Sequence, residues 1–175
     1  IMGRIIIAIL LTLSFINEYP NTDNEANTNT SIANQTQYDK LIDLARTYFD
    51  KNTEYAFNCA YKAHSIAEEK YDHIKSAECN IIMGDIFKEN NSFPTAISYY
   101  EKAIENLASI KDYHTIYKLY IKIAKLYQNS EFESKWSIDA MNKALKYAET
   151  IKEPKIYNDI NLAYGDIYFS QKKYD

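Results

Sequence analysis

The chain has 175 residues and a net charge of −4, with 46% hydrophobic and 25% charged residues. This length allows one domain with a sizeable core. The net charge is small and both signs are mixed along the sequence, without the basic patch that nucleic-acid binding needs. The low content of Gly and Pro, three of each, argues against a fold of many strands and turns.

The first predicted element is an apolar segment near the N-terminus. Arg4 precedes an apolar run at 5–16, and Asn17 and Glu18 follow it. A basic residue before about a dozen apolar ones matches a secretory signal peptide, and the run is short for a bilayer span of roughly 20 residues. We therefore expect residues 1–17 to be an export signal or an uncleaved anchor. A buried N-terminal helix is the alternative.

A polar segment follows at 18–37. It consists largely of Asn, Thr, Ser and Gln, and such a segment cannot bury enough apolar surface to offset its ordering entropy. We expect a flexible tether between the apolar segment and the rest of the chain.

From Tyr38 onward the sequence repeats itself with separations of 39, 40 and 41 residues between equivalent positions. The first motif has a small residue followed, three positions later, by an aromatic residue on the same helix face. The small residues are Ala45, Gly84, Ala124 and Gly165, and the aromatic residues are Tyr48, Phe87, Tyr127 and Tyr168. This motif predicts the first helix of each unit, on which the small residue lets a second helix approach closely.

A second motif with the same period lies between copies of the first. It places three residues at helical offsets of four and three. Its copies are Ala56, Ala60 and Ala63, then Ala96, Tyr100 and Ala103, then Ser137, Met141 and Ala144. Two motifs that share one period predict helical-hairpin units at about 38–72, 73–111, 112–152 and an incomplete 153–175. Because no unit buries its own apolar face, stacking of hairpins into an all-α solenoid would supply the core.

The segments between the motifs contain helix-capping residues. Thr53, Ser92 and Asp112 are the expected N-caps, since their side chains can accept hydrogen bonds from the first backbone N–H groups of a helix. Pro154 is expected in the first turn of the last helix, where its missing N–H costs nothing.

The two motifs resemble the tetratricopeptide repeat. The match to that family's pattern consists of Gly84-x-x-Phe87, Ala96-x-x-x-Tyr100-x-x-Ala103 and Gly165-x-x-Tyr168. The period exceeds the usual 34 residues and is similar to the longer variety in bacterial regulatory proteins. The resemblance implies a right-handed superhelix of hairpins with about three and a half repeats.

No constellation of residues predicts catalysis, a cofactor site or a metal site. His64, His73 and His114 lack ligand spacing, and we expect them near helix termini or on hydrated faces. Cys59 and Cys79 have neither metal-site spacing nor an activating neighbour, so we expect them in the helical core. A disulfide formed after export is the alternative. The sequence therefore predicts a chain that is not an enzyme.

The resemblance implies a groove lined by the first helix of each unit. The implied groove residues flank each small residue: Ile42, Arg46 and Phe49; Ile81, Asp85 and Lys88; Ile121, Lys125 and Gln128; Leu162, Asp166 and Phe169. An aliphatic stripe would lie beside charges of alternating sign, which suits a peptide with apolar anchors. The alternative is that the stripe is ordinary packing and that the charges serve solubility.

The expected function is binding of a protein or peptide, without nucleic acid, by the extracytoplasmic sensory or scaffold part of a longer bacterial protein. It would be exported, periplasmic or membrane-associated, and would touch a membrane only through the N-terminal segment or a span beyond Asp175. Because exported bacterial proteins of the family often continue into a histidine kinase or a helix-turn-helix domain, the sensor region of such a regulator is the alternative. A structural adaptor and an enzyme with a downstream catalytic domain are two further alternatives.

Overall fold

The computed structural model describes residues 30–128 and 134–171 of the chain. These residues form seven helices and no strand: α1 Thr30–Thr47, α2 Thr53–Glu69, α3 His73–Glu89, α4 Phe93–Ser109, α5 Tyr113–Gln128, α6 Ser134–Ile151 and α7 Pro154–Gln171. Contacts group the described residues from Asn34 onward as one unit. The apolar segment expected at 1–17 and the tether up to residue 29 lie outside the described residues.

Helix α1 begins at Thr30, before Tyr38, the first residue of the predicted repeats. The tether predicted for 18–37 therefore ends earlier than expected. Gln35 explains part of this extension, because its Nε2 donates to both carboxylate oxygens of Asp39, one turn further on, at 3.0 and 3.1 Å. Its Oε1 also accepts a hydrogen bond from Lys75 of α3. Such side-chain pairs stabilise the beginning of α1, where the sequence offers few apolar residues for burial.

Neighbouring helices pack as hairpins. Helix α3 packs against α4, α5 packs against α6, and α1 shares a core cluster with α2. Helices α2 and α3, and likewise α4 and α5, join one hairpin to the next, while α7 contacts α6 and α5. The predicted all-α solenoid of helical hairpins is confirmed.

The small residues of the repeat motifs form the centre of the core. The buried ones are Ala45, Gly84, Ala124, Ala56, Ala60, Ala63, Ala96, Ala103, Ser137 and Ala144. Tyr100 and Met141 are buried among them as large side chains of the second helices. Small residues of the first helices thus face the second helices, as the motifs predict.

The motif aromatics contact rings on the second helices. Tyr48 meets Tyr55 edge-on at 4.9 Å between centroids, Phe87 stacks on Tyr99 at 5.5 Å, and Tyr127 lies 6.2 Å from Trp136. Tyr168 instead stacks on Tyr164 of its own helix. Gly165, three residues before Tyr168, is exposed; it belongs to the incomplete unit at 153–175, for which no second helix was predicted within the chain.

Three of the turns between helices have the same backbone geometry. Tyr71, Asn91 and Lys111 have positive φ angles of 53°, 56° and 59°. The N–H of the following residue donates to a carbonyl five positions back in each turn; the pairs are Asp72 to Ala67, Ser92 to Phe87 and Asp112 to Leu107. These are the bonds of a Schellman motif, which usually has Gly at the positive-φ position.

The residue after each positive φ also begins the next helix. Asp72 and Asp112 accept hydrogen bonds from the backbone N–H groups of Lys75 and Thr115, both at 3.1 Å. Ser92 is the N-cap of α4, as predicted, but its hydroxyl donates to Thr95 instead of bonding a backbone N–H. The N-cap predicted at Thr53 is wrong.

Asn52 caps α2 in place of Thr53. Its side chain accepts from the N–H of Tyr55 at 2.9 Å. Asn and Thr are both favourable N-cap residues, so the sequence alone does not show which of these two neighbours is the N-cap. Pro154 is the first residue of α7, as predicted.

Candidate functional site

An open groove of about 520 Å³ runs along α3. Its walls come from the end of α1 and the turn after it, from α3, from the end of α4 and from the start of α5. We call it the α3 groove; its lining residues are Arg46, Phe49, Asp50, Ile74, Ala77, Glu78, Ile81, Ile82, Asp85, Leu107, Asp112 and Thr115.

Four predicted groove residues lie together in the α3 groove: Arg46, Phe49, Ile81 and Asp85. Ile81 and Phe49 are half-buried, so part of each side chain faces the open space. Ile74, in the first turn of α3, is 63% exposed and adds an aliphatic side chain that the sequence analysis did not select. The structure thus brings apolar and charged side chains together beside α3.

The continuous aliphatic stripe predicted along the first helices does not form. Ile42 is buried in the core cluster that contains Ala45 and Cys79, because α1 packs that face inward. Ile81 and Ile121 are half-buried and packed against the neighbouring cluster, whereas Leu162 is 70% exposed. The four equivalent positions therefore differ in exposure, and only Ile81 lines the groove.

The other predicted groove residues lie elsewhere on the surface. Lys88 pairs with the adjacent Glu89 at 2.8 Å. Gln128 donates from its amide to the backbone carbonyl of Asp166 at 3.4 Å. Phe169, on α7, is 71% exposed. These side chains are not lining residues of the α3 groove.

Ion pairs join successive first helices. Arg46 of α1 pairs with Glu78 of α3 at 2.6 Å, and Lys122 of α5 pairs with Asp85 of α3 at 2.8 Å. Lys125 of α5 lies 3.8 Å from Asp166 of α7. The charges of alternating sign predicted for the groove are therefore matched by residues of this same chain.

A buried tyrosine supports each of the two α3 carboxylates in the groove. The Tyr38 hydroxyl donates to Glu78 at 2.6 Å, and the Tyr100 hydroxyl donates to Asp85. The pKa of both tyrosine hydroxyls is raised; burial is the larger cause, and the hydrogen bond to the carboxylate is the next. Both hydroxyls thus stay protonated as donors, and each carboxylate is fixed between one tyrosine and one cation.

Sequence reasoning missed Glu78 and Lys122, although a signal for Glu78 was present. Glu78 precedes Ile81 by three positions and Asp85 by seven, which is the spacing of one helix face. Lys122 could not be selected from the spacing on its own helix, because its partner Asp85 lies on α3, in another hairpin.

His64 departs from its predicted environment. It is half-buried in the middle of α2, and its Nε2 lies 3.3 Å from the side-chain Nδ2 of Asn80. Burial lowers the pKa of His64, against the opposing effect of Glu68. His73 and His114 are exposed, as predicted, near Asn106 and Glu153 respectively.

Both cysteines are buried, as predicted for core positions. Burial raises the pKa of Cys79 to about 12 and also raises that of Cys59. Over the part of the chain that the structure describes, no three His, Cys, Asp or Glu side chains are grouped as metal ligands. None of the helices in residues 30–128 and 134–171 has the length and apolar character needed to cross a membrane.

No protein-family model matches the chain, and no curated protein matches it. The resemblance to tetratricopeptide repeats thus rests on the motifs of the sequence, and the structure adds a solenoid of helical hairpins with a groove along α3.

Proposed function

We propose that this chain is a non-catalytic repeat module that binds a protein or peptide in the α3 groove. The observation that carries the proposal is the exposed aliphatic side chain of Ile74 in an open groove in which ion pairs hold Arg46, Glu78 and Asp85 in place. Concave sites of a few hundred cubic ångströms with apolar walls and a few oriented polar groups are typical of ligand binding.

An apolar side chain of the partner would pack against Ile74, Ile81 and Phe49. Full burial of one aliphatic side chain contributes about 1.5–3 kcal/mol. The carboxylates of Glu78 and Asp85, held by their tyrosines, would orient polar groups of the partner without first having to be ordered. The resemblance to tetratricopeptide repeats supports the same kind of partner.

Binding is tested by selecting peptides from a random displayed library and measuring their affinity by fluorescence anisotropy. Ile74→Ser should weaken selected peptides roughly tenfold or more, as expected for loss of a buried aliphatic contact. Tyr61→Ser is the matched control, because Tyr61 is 56% exposed on α2 and does not line the α3 groove. Equal affinities for both variants, or a library that yields no binder, would contradict the proposal.

The proposed location is outside the cytoplasm of a bacterium, supported by Arg4 and the apolar run at 5–16. The sensor region of a membrane-bound histidine kinase or of a helix-turn-helix regulator is a second candidate, favoured by the same segment. Alkaline phosphatase fused after residue 37 should be active in bacteria only when residues 1–17 are retained. Equal activity without those residues would remove the export proposal.

A further inference from the structure

The walls of the α3 groove carry more negative than positive charge. Four carboxylates line it, those of Asp50, Glu78, Asp85 and Asp112, against the single guanidinium of Arg46. Lys122 adds one more positive charge through its ion pair with Asp85. Two negative charges remain after these two cations are counted.

The two remaining carboxylates differ in their surroundings. Asp112 accepts hydrogen bonds from two neutral donors of Thr115, the N–H at 3.1 Å and the hydroxyl at 2.7 Å, and the N-terminal dipole of α5 offsets part of its charge. Asp50 is exposed in the turn between α1 and α2. Asp50 is therefore the groove carboxylate most open to a cation of the partner.

We infer that the α3 groove takes a cationic segment, one in which Lys or Arg residues flank an aliphatic anchor. This inference rests on the proposed function and specifies its partner. The aliphatic anchor would cover Ile74 and Ile81, while its basic neighbours approach Asp50 and the paired carboxylates of α3. Complementary charge of this kind raises the association rate and selects between partners more than it adds affinity.

An anionic segment is disfavoured by the same arrangement. The groove cation Arg46 is already paired with Glu78 at 2.6 Å, which offsets much of its positive charge, so it attracts an incoming carboxylate less than an unpaired guanidinium would. Such a carboxylate would also approach Asp50 and Asp112 as a like charge.

The test uses the full chain and two labelled synthetic peptides of equal length with identical Leu spacing, one carrying Lys and the other Glu between the Leu residues. Fluorescence anisotropy should show the Lys peptide binding at least roughly tenfold more tightly at low salt. This preference should shrink as ionic strength rises from about 0.05 M to about 0.5 M, since salt screens exposed charges.

Two charge-reversal variants then locate the effect. Asp50→Lys should weaken the Lys peptide about threefold or more, whereas Asp43→Lys, exposed on α1 outside the groove lining, should change its affinity less than about twofold. Equal losses for both variants would mean that net charge acts without the groove, which overturns the inference.

Failure of this inference can be told apart from failure of the proposed function. Tighter binding of the Glu peptide, or no binding of either peptide, overturns the cationic partner. If library-selected peptides still depend on Ile74 in that case, binding in the α3 groove stands with a partner of other charge. If they do not, the proposed function fails as well.

Discussion

The ring of Tyr100 occupies the space where a side chain on Gly84 would begin. A Cβ built on Gly84 would lie 2.6 Å from Cε1 and 2.7 Å from Cδ1 of Tyr100, closer than real Cβ atoms approach their neighbours. Tyr100 is buried and its hydroxyl is bonded to Asp85, so the ring has little freedom to move. The α3–α4 hairpin therefore requires glycine at position 84.

Gly84→Ala should destabilise the fold by about 1–3 kcal/mol, and Gly84→Leu at least as much, because overpacking a buried contact forces neighbouring side chains from their positions. Gly165→Ala is the matched control. A Cβ at Gly165 would meet nothing within 4 Å, so this change should stabilise by roughly 0.5–1 kcal/mol through helix propensity. Urea unfolding followed by circular dichroism measures both, and effects of the same sign would contradict the packing described for Gly84.

Lys111→Gly should stabilise the chain. A left-handed conformation costs a residue with a Cβ roughly 1–2 kcal/mol, and part of the relief is lost to the greater freedom of Gly in the unfolded chain, which leaves about 0.5–1 kcal/mol. Lys118→Gly removes the same charge from the middle of α5, where Gly should cost about 1 kcal/mol. Thermal unfolding of the two variants should shift in opposite directions; a lower melting temperature for Lys111→Gly would show that its positive φ carries little strain.

Tyr100→Phe should cost about 1.5–3 kcal/mol, the usual contribution of a hydrogen bond to a charged group. The variant keeps the ring against Gly84 but removes the donor to Asp85. Tyr164→Phe removes an exposed hydroxyl bonded to Asn142 at 2.7 Å and should change stability by less than about 0.5 kcal/mol. Equal costs in chemical unfolding would show that the Tyr100–Asp85 bond contributes no more than a surface contact.

His64 should make the chain less stable in mild acid. Its pKa is lowered in the folded state by burial, so between this lowered value and the unfolded value near 6.5 the unfolded chain binds more protons. The contribution of His64 to the free energy of unfolding is complete above about pH 6.5 and is lost as the pH falls towards the pKa of the folded state. The groups that face the imidazole are Glu68 on α2, Asn80 on α3 and Lys102 on α4.

This contribution is isolated by comparison with His64→Gln. The unfolding free energy of the wild type, minus that of the variant, should decline between about pH 7 and pH 5. A difference that rises as the pH falls would mean that Glu68 dominates and that the folded pKa is raised.

The fold could be predicted from the sequence because the two repeat motifs describe contacts within each helical hairpin. A small residue at Gly84 or Ala124 leaves room for one approaching helix, and the period of the motifs identifies that helix without any knowledge of the stacking. The exposed Gly165 marks the limit of this rule, since within the described residues no second helix packs on that face of α7.

The candidate groove was only partly predictable because it depends on how hairpins align with each other. Arg46 and Asp85 both line the α3 groove, but their partners Glu78 and Lys122 come from neighbouring hairpins. Ile42 was predicted to line the groove, with ordinary packing as the alternative, and it is buried in the core cluster that includes Cys79 of α3. Periodicity within one helix specifies which face is apolar, but it does not specify how much of that face the next hairpin covers.

The shared turn residues fix the length of the connections between helices. At Asp72, Ser92 and Asp112 one residue closes the preceding helix and caps the following one, so these junctions contain no spare residue. One inserted residue would rotate the next helix by about 100° and aim its apolar side at solvent. The turn at 48–52 lacks this double role, so it should tolerate a change of length better than the other three junctions, provided that Phe49 and Asp50 keep their places in the α3 groove.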